Sequence, residues 1–151
     1  MKKRNIIHTL MLSALFCASA ILAGCTFETS DNGKLDGYWH IVAVDTIATG
    51  GTCDLSQKRL FWGVQAKLIN MSDRDNNLYD FLFRFEYANI TLRVYAPFVN
   101  DRPKGDTPVD DANLLTPFGI ETFEQVYRIE MLKSNKMILA TDKLKFHFHK
   151  M

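Results

Sequence analysis

Tyr79-Asp80-Phe81-Leu82-Phe83-Arg84-Phe85-Glu86-Tyr87 is the stretch that decides the fold. An aromatic ring stands at every second position. Side chains alternate across a strand with a period of two, whereas a helix would spread these rings around its axis. The stretch predicts a strand with one dry face. Tyr79, Phe81, Phe83, Phe85 and Tyr87 point inward, while Asp80, Arg84 and Glu86 point to water.

The same period runs through the chain from Leu35 onward. Residues 38–45 are β-branched and aromatic. Residues 60–69 are expected as one strand, with Leu60, Trp62, Val64, Ala66 and Leu68 on one face and Gln65 and Lys67 opposite. Ile90, Leu92 and Val94 alternate with Thr91, Arg93 and Tyr95. Phe123, Tyr127, Ile129 and Met131 alternate with Glu124, Arg128 and Glu130. Residues 137–140 form a short strand, and Leu144, Phe146 and Phe148 alternate with Lys145, His147 and His149. Compact hairpin turns are expected at 72–77, 88–89, 133–136 and 142–143, where Asn, Asp, Ser and Lys cluster. Two connections are long: 46–56, with Gly50 and Gly51, and 97–114, with Pro103, Gly105 and Pro108. A weak strand at 115–120 brings the count to about eight, and no segment has a clear helical stripe. Eight sequential hairpin-linked strands, each dry on one face, predict an all-β, up-and-down antiparallel barrel. Closure also removes edge strands. A two-sheet β-sandwich is the alternative.

The N-terminus belongs to a different class of sequence. Lys2, Lys3 and Arg4 precede residues 10–22, a run of 13 without a charge. A transmembrane helix needs about 20 apolar residues, so the run reads as a secretory signal. It ends in Leu22-Ala23-Gly24-Cys25, which resembles the lipobox of bacterial lipoproteins. That resemblance implies removal of residues 1–24, acylation of Cys25 and a lipid-anchored mature chain at the bacterial cell envelope, on the outer membrane. Residues 25–34 would be the lipidated cysteine and a polar tether, and residues 35–151 the folded domain. Removal takes three of 18 basic residues and none of the 17 acidic ones, turning a net charge of +1 into −2. Such a surface is no footprint for nucleic acid. With Cys17 removed and Cys25 acylated, Cys53 has no disulfide partner, so stability must come from one packed core.

Gly37-Tyr38-Trp39, just after the tether and at the first expected strand, is similar to the Gly-x-Trp that opens the first strand of lipocalins. The resemblance implies that Trp39 closes the narrow end of the barrel and that Gly37 lets chain pass close by. The mature chain looks like small bacterial lipoproteins with a lipocalin-like domain. It departs from the lipocalin pattern in lacking a later Thr-Asp-Tyr element and a helix after the last strand. The residue-level match is Gly37 and Trp39 alone.

A barrel of this kind implies a cavity lined by Trp39, Trp62, Phe81, Phe83, Phe85, Tyr127 and Phe146, the candidate ligand-binding residues. Tyr79, Tyr87 and Phe148 are expected on the same face. No Arg or Lys falls there, which disfavours a buried carboxylate ligand, because an unpaired buried charge is costly. So many rings could equally fill the interior. The long loop 97–114 is a second candidate, as a lid or partner contact or as plain solvated loop. His147 and His149, with His40, could begin a zinc site, but a solvated outer face is the stronger reading. Asp73-x-Asp75-x-Asn77 imitates a calcium loop, yet its sixth and twelfth positions are Leu78 and Arg84, so a turn is the better account. Cys53 lacks any sign of an activating base. No catalytic residue, metal or cofactor is expected. The sequence thus predicts a membrane-anchored, non-enzymatic lipocalin-like protein that takes a small apolar ligand in or at the mouth of its barrel. The alternative is an interaction or structural lipoprotein with a filled barrel, whose loops bind another envelope protein.

Overall fold

The computed structural model describes residues 30–151. The signal segment, Cys17 and the acylation site Cys25 lie outside the described residues. Strands β1 (Gly37–Thr46), β3 (Leu60–Gln65), β4 (Leu68–Asp73), β5 (Phe81–Ala88), β6 (Thr91–Val99), β8 (Glu124–Leu132), β9 (Lys136–Ala140) and β10 (Leu144–Lys150) pair in that order. All pairings are antiparallel. β10 returns to β1, with Trp39 opposite Lys150 and Thr46 opposite Leu144. The barrel is closed, as the aromatic alternation predicts, and the sandwich is excluded. Two short strands sit outside this circuit. β2 (Thr52–Asp54) folds back on β1, and β7 (Thr107–Pro108) lies against β6.

The inward row across the first four staves is Trp39, Trp62, Met71 and Phe81, consecutive partners in the register and all without exposed surface. Ile69, Phe83, Leu92, Val94, Tyr127, Leu139 and Phe146 continue this core. Burying a side chain of this size is worth about 1.5–3 kcal/mol, so the interior dominates stability in a chain whose only described cysteine, Cys53, is unpaired.

Four expectations need correction. Residues 60–69 are not one strand but a hairpin turning at Ala66 and Lys67. After the turn the phase shifts, so Ile69 and Met71 point inward and Leu68 is exposed. Nothing in Ala66-Lys67 resembles a hairpin dipeptide, and Ala66 takes φ +52°, costly for an L-residue. The turn is held from outside. The Ala66 N–H donates to Ser30 Oγ (2.6 Å) and its carbonyl accepts from Asn32 Nδ2 (2.8 Å). Among the described residues, Ser30 and Asn32 thus already contact the barrel, although they fall in the stretch expected to be tether.

Residues 115–120 are not a strand either. A 3-10 helix, Ala112–Phe118, spans most of them, opened by the Asp111 carboxylate on the Asn113 N–H and closed by Gly119 at φ +76°. It lies within the long connection from β6 to β8. Leu115, Phe118 and Ile120 are buried, with Phe118 edge-on to Phe81 at 5.7 Å between ring centroids. The segment therefore stoppers the loop-bearing end of the barrel.

The two long connections are shorter than expected. β2 occupies part of 46–56, and β6 runs through Pro97 to Val99. Pro97 has no N–H to give the ladder. A bulge beside it, with Ala96 at φ +49°, lets pairing resume at Phe98.

Finally, the dry face of β5 is narrower than the aromatic run. Phe81, Phe83 and Phe85 are buried, but Tyr79 precedes the strand and is 63 % exposed, and Tyr87 lies exposed at the rim. Ile90 and Phe123 are likewise exposed, Ile90 because it sits in the turn after Asn89.

Candidate binding site

The seven candidate interior residues are brought together. Trp39, Trp62, Phe81, Phe83, Phe85, Tyr127 and Phe146 belong to one buried cluster. Trp62 packs edge-on against Tyr127 at 5.6 Å and tilted on Phe148 at 5.0 Å, and Tyr127 meets Phe146 edge-on at 5.8 Å. These are favourable aromatic separations. Trp39, Trp62, Phe81, Phe83 and Tyr127 have no accessible surface, so no water-sized void touches them. Rings fill the interior, and the ends are closed too. At the narrow end, Trp39 Nε1 donates to the Leu35 carbonyl (2.8 Å) and Lys150 Nζ lies 4.6 Å from the centre of the Trp39 ring. At the other end stand Leu115 and Phe118.

Two polar atoms in this core are buried without a partner among the described residues: Trp62 Nε1 and Tyr127 Oη. Burial pushes the Tyr127 phenol far above its usual range, so it is a neutral hydroxyl. Among the described residues no charged group shares this interior. The one buried charged side chain described is Asp73, which caps its turn by accepting the N–H groups of Asp75 (2.8 Å) and Asn77 (3.0 Å). The calcium-like spacing is thus a carboxylate-capped turn.

The histidines serve separate contacts. His40 Nε2 is 2.6 Å from the Lys58 carbonyl, and His147 Nε2 is 2.7 Å from the Asp45 carboxylate. Among the described residues no three His, Cys, Asp or Glu side chains gather in a way that could hold a metal. Cys53 is exposed on β2.

A large concavity among the described residues lies on the outside of the barrel. Gly63 sits between inward Trp62 and Val64, Asn70 between Ile69 and Met71, and Leu82 between Phe81 and Phe83, so all three face outward. With Tyr38 they are consecutive partners across β1, β3, β4 and β5. They floor a cleft of about 770 Å³ whose rim includes Ser30, Asn100 and Arg102. Tyr38 is fixed by stacking on Phe61 (4.6 Å, 11° between planes) and by accepting from Arg74 Nε (3.0 Å). Asn100 is fixed by its N–H on the Asp80 carbonyl (2.9 Å). Sequence reasoning missed this face because it followed the dry side of each strand. The signal was Gly63, a glycine inside a strand, which marks a close approach of other groups. The long loop 97–114 does join the site, through Asn100 and Arg102, but as one wall of an outer cleft.

Comparison with known proteins agrees with the fold. The family model described as a lipocalin-like domain matches residues 20–151. No curated protein matches the chain. A lipocalin-like protein from Bacteroides uniformis has a similar structure, with a TM-score of 0.61 at 19 % identity, over 79 % of this chain and 100 % of that one. A protein from Bacteroides eggerthii is also similar, at a TM-score of 0.56 and 18 % identity, over 77 % of this chain and 98 % of that one.

Proposed function

The chain belongs to the lipocalin-like domain family, and from that premise we propose that it is a lipid-anchored, non-enzymatic binding protein of the bacterial cell envelope. In this reading it is held through Cys25 at the outer membrane and recognises its ligand or partner on the outer surface of a filled barrel. The observation that carries the reading is the filled interior. The rings of Trp39, Trp62, Phe81, Phe83 and Tyr127 touch no void, whereas a small-molecule site is a concavity of about 300–1,000 Å³. The outer cleft falls in that range. The anchor rests on the sequence alone: the short apolar run and Leu22-Ala23-Gly24-Cys25.

A second reading keeps a small apolar ligand inside the barrel. The unpartnered Trp62 Nε1 and Tyr127 Oη favour it, since each is a donor that a ligand acceptor would satisfy. It requires the stopper at Leu115 and Phe118 to withdraw and the rings to part.

Metabolic labelling with a radioactive fatty acid in a bacterial host tests the anchor. The full chain takes up label and sediments with membranes, and Cys25→Ala loses both. Equal labelling of Cys25→Ala overturns the proposal.

A further inference from the structure

We propose that the narrow end of the barrel is a docking face for an anionic lipid surface, so that the anchored chain stands with its loop-bearing end turned away from the membrane. This rests on the reading that Cys25 carries the anchor.

Topology gathers the face. An up-and-down barrel sends alternate connections to opposite ends. The start of β1, the end of β10 and the turns β3–β4, β5–β6 and β8–β9 share the narrow end, and the longer connections share the other. At the narrow end, residues 30–36, 66–67, 89–90, 133–136 and 149–150 carry five lysines and two aspartates. At the other end, residues 47–59, 74–80, 100–123 and 141–143 carry nine acidic side chains and six basic ones. The barrel is therefore positive at one end and negative at the other, a polarity that a near-neutral net charge conceals.

The cations are available to a partner. Lys34, Lys67, Lys133 and Lys136 are exposed, and among the described residues none of them enters an ion pair. The neighbouring carboxylates are largely committed. Asp36 accepts from Ser30 Oγ (2.6 Å) and Asn32 Nδ2 (2.7 Å). Glu86, which shares a hollow with Lys67 and Tyr87, is held by Arg93 at 3.1 Å. Only Asp31 presents an exposed carboxylate within these segments.

Apolar tips stand among these lysines: Leu68, Tyr87 and Ile90 are all exposed at this end. Lysines interleaved with aromatic and aliphatic tips suit the headgroup region, where each finds its own layer. Three separate tips do not make the apolar centre of a protein interface. A second copy across a two-fold axis would set lysines against lysines. Position supplies the occupant. Ser30 Oγ accepts from the Ala66 N–H at the β3–β4 turn, so the chain leading from Cys25 arrives at the narrow end. Five residues span at most about 18 Å. An acylated Cys25 thus holds this end near the headgroups, and attraction to anionic lipid acts over about 8 Å at physiological salt.

The test is a lysine footprint of the lipidated full-length product, added to the outside of vesicles of phosphatidylcholine alone or mixed with phosphatidylglycerol. An acetylating reagent marks accessible lysines, and peptide mass spectrometry reads each one. Lys67, Lys133 and Lys136 report on the narrow end, and Lys58, Lys104 and Lys143 on the other. On the mixed vesicles the narrow-end lysines should react about threefold or more slowly than on phosphatidylcholine, with the other three unchanged. Salt at about 1 M, where charges are screened beyond about 3 Å, should abolish the difference. Lys133→Glu with Lys136→Glu should return Lys67 to full reactivity while the protein stays on the vesicles, and Ile90→Asp should do so in part. Equal reactivity of both ends on the mixed vesicles overturns the proposal and leaves the anchor standing. Protection that is the same in the two lipids, that grows with protein concentration in detergent, or that the variants leave intact also overturns it, because lipid charge is then not what covers the face. Absence of acyl chains on Cys25 overturns the anchor reading by itself. The narrow end is then judged on the same footprint with mixed vesicles in excess, where lack of protection overturns it too.

Discussion

The side chain of Lys150, the last residue of β10, occupies the space that a side chain on Gly37 would need. A Cβ on Gly37 would lie 2.6 Å from Lys150 Cε, and Gly37 has φ +132°. Lys150 Nζ goes on to donate to the Lys34 carbonyl (2.9 Å) above the Trp39 ring. The start of β1 and the end of β10 thus seal the narrow end of the barrel together. Gly37→Ala should lose about 2 kcal/mol or more, from backbone strain and the collision. Adding Lys150→Ala should return the collision part only. Denaturant unfolding of both variants checks this, and an unchanged midpoint for Gly37→Ala would contradict it.

Gly119 ends the stopper in the same manner. Its φ is +76°, and a Cβ would fall 2.5 Å from Cζ of buried Phe146. Phe146 is enclosed and cannot swing away, so Gly119→Ala should cost about 2–4 kcal/mol. Part should return with Phe146→Leu, which shortens the opposing ring. Thermal melts of the single and double variants measure the coupling.

The interior should respond asymmetrically to two deletions. Tyr127→Phe removes a buried hydroxyl that has no partner, and its effect should be neutral or stabilising. Phe83→Ala leaves a hole in a packed core and should cost about 3–5 kcal/mol. A strongly destabilised Tyr127→Phe would mean that the hydroxyl is bonded.

Acid should weaken the barrel through its outer carboxylates. His147 and then Thr52 hydrogen-bond Asp45, Arg93 binds Glu124, and Lys145 with Arg128 binds Glu130, and each carboxyl is held below its ordinary value of 3.8 or 4.5. A carboxyl depressed by folding adds stability above its unfolded value and loses it as pH falls through the folded one. Stability should therefore fall below about pH 4, and Asp45→Asn should flatten that fall. Asp80, raised by burial, works in the opposite direction: its share is present at low pH and fades as pH rises. Melting temperatures across this range at two salt concentrations check the sign, because the exposed pairs are screened.

Period-two alternation with rings made the barrel legible, since Phe81, Phe83 and Phe85 can be dry together only on a strand. Gly37 and Trp39 marked the narrow end. Four things were not legible. The Ala66-Lys67 turn is held by Ser30 and Asn32, which are more than thirty residues away in sequence. The segment at Leu115 and Phe118 is apolar enough to be buried, but periodicity over six residues does not separate strand from 3-10 helix. The cleft depends on which outward residues become neighbours, and that follows from register across four strands. Interior rings alone do not distinguish a lined cavity from a filled core, because the difference is one of volume.

The filled interior is the central claim, and the chain's two tryptophans report on it. Trp39 and Trp62 are both fully buried in the barrel. Their fluorescence should stay unchanged when the protein is titrated with small apolar ligands such as decanol. A saturable quench or spectral shift at one equivalent would place a ligand among those rings and contradict the account.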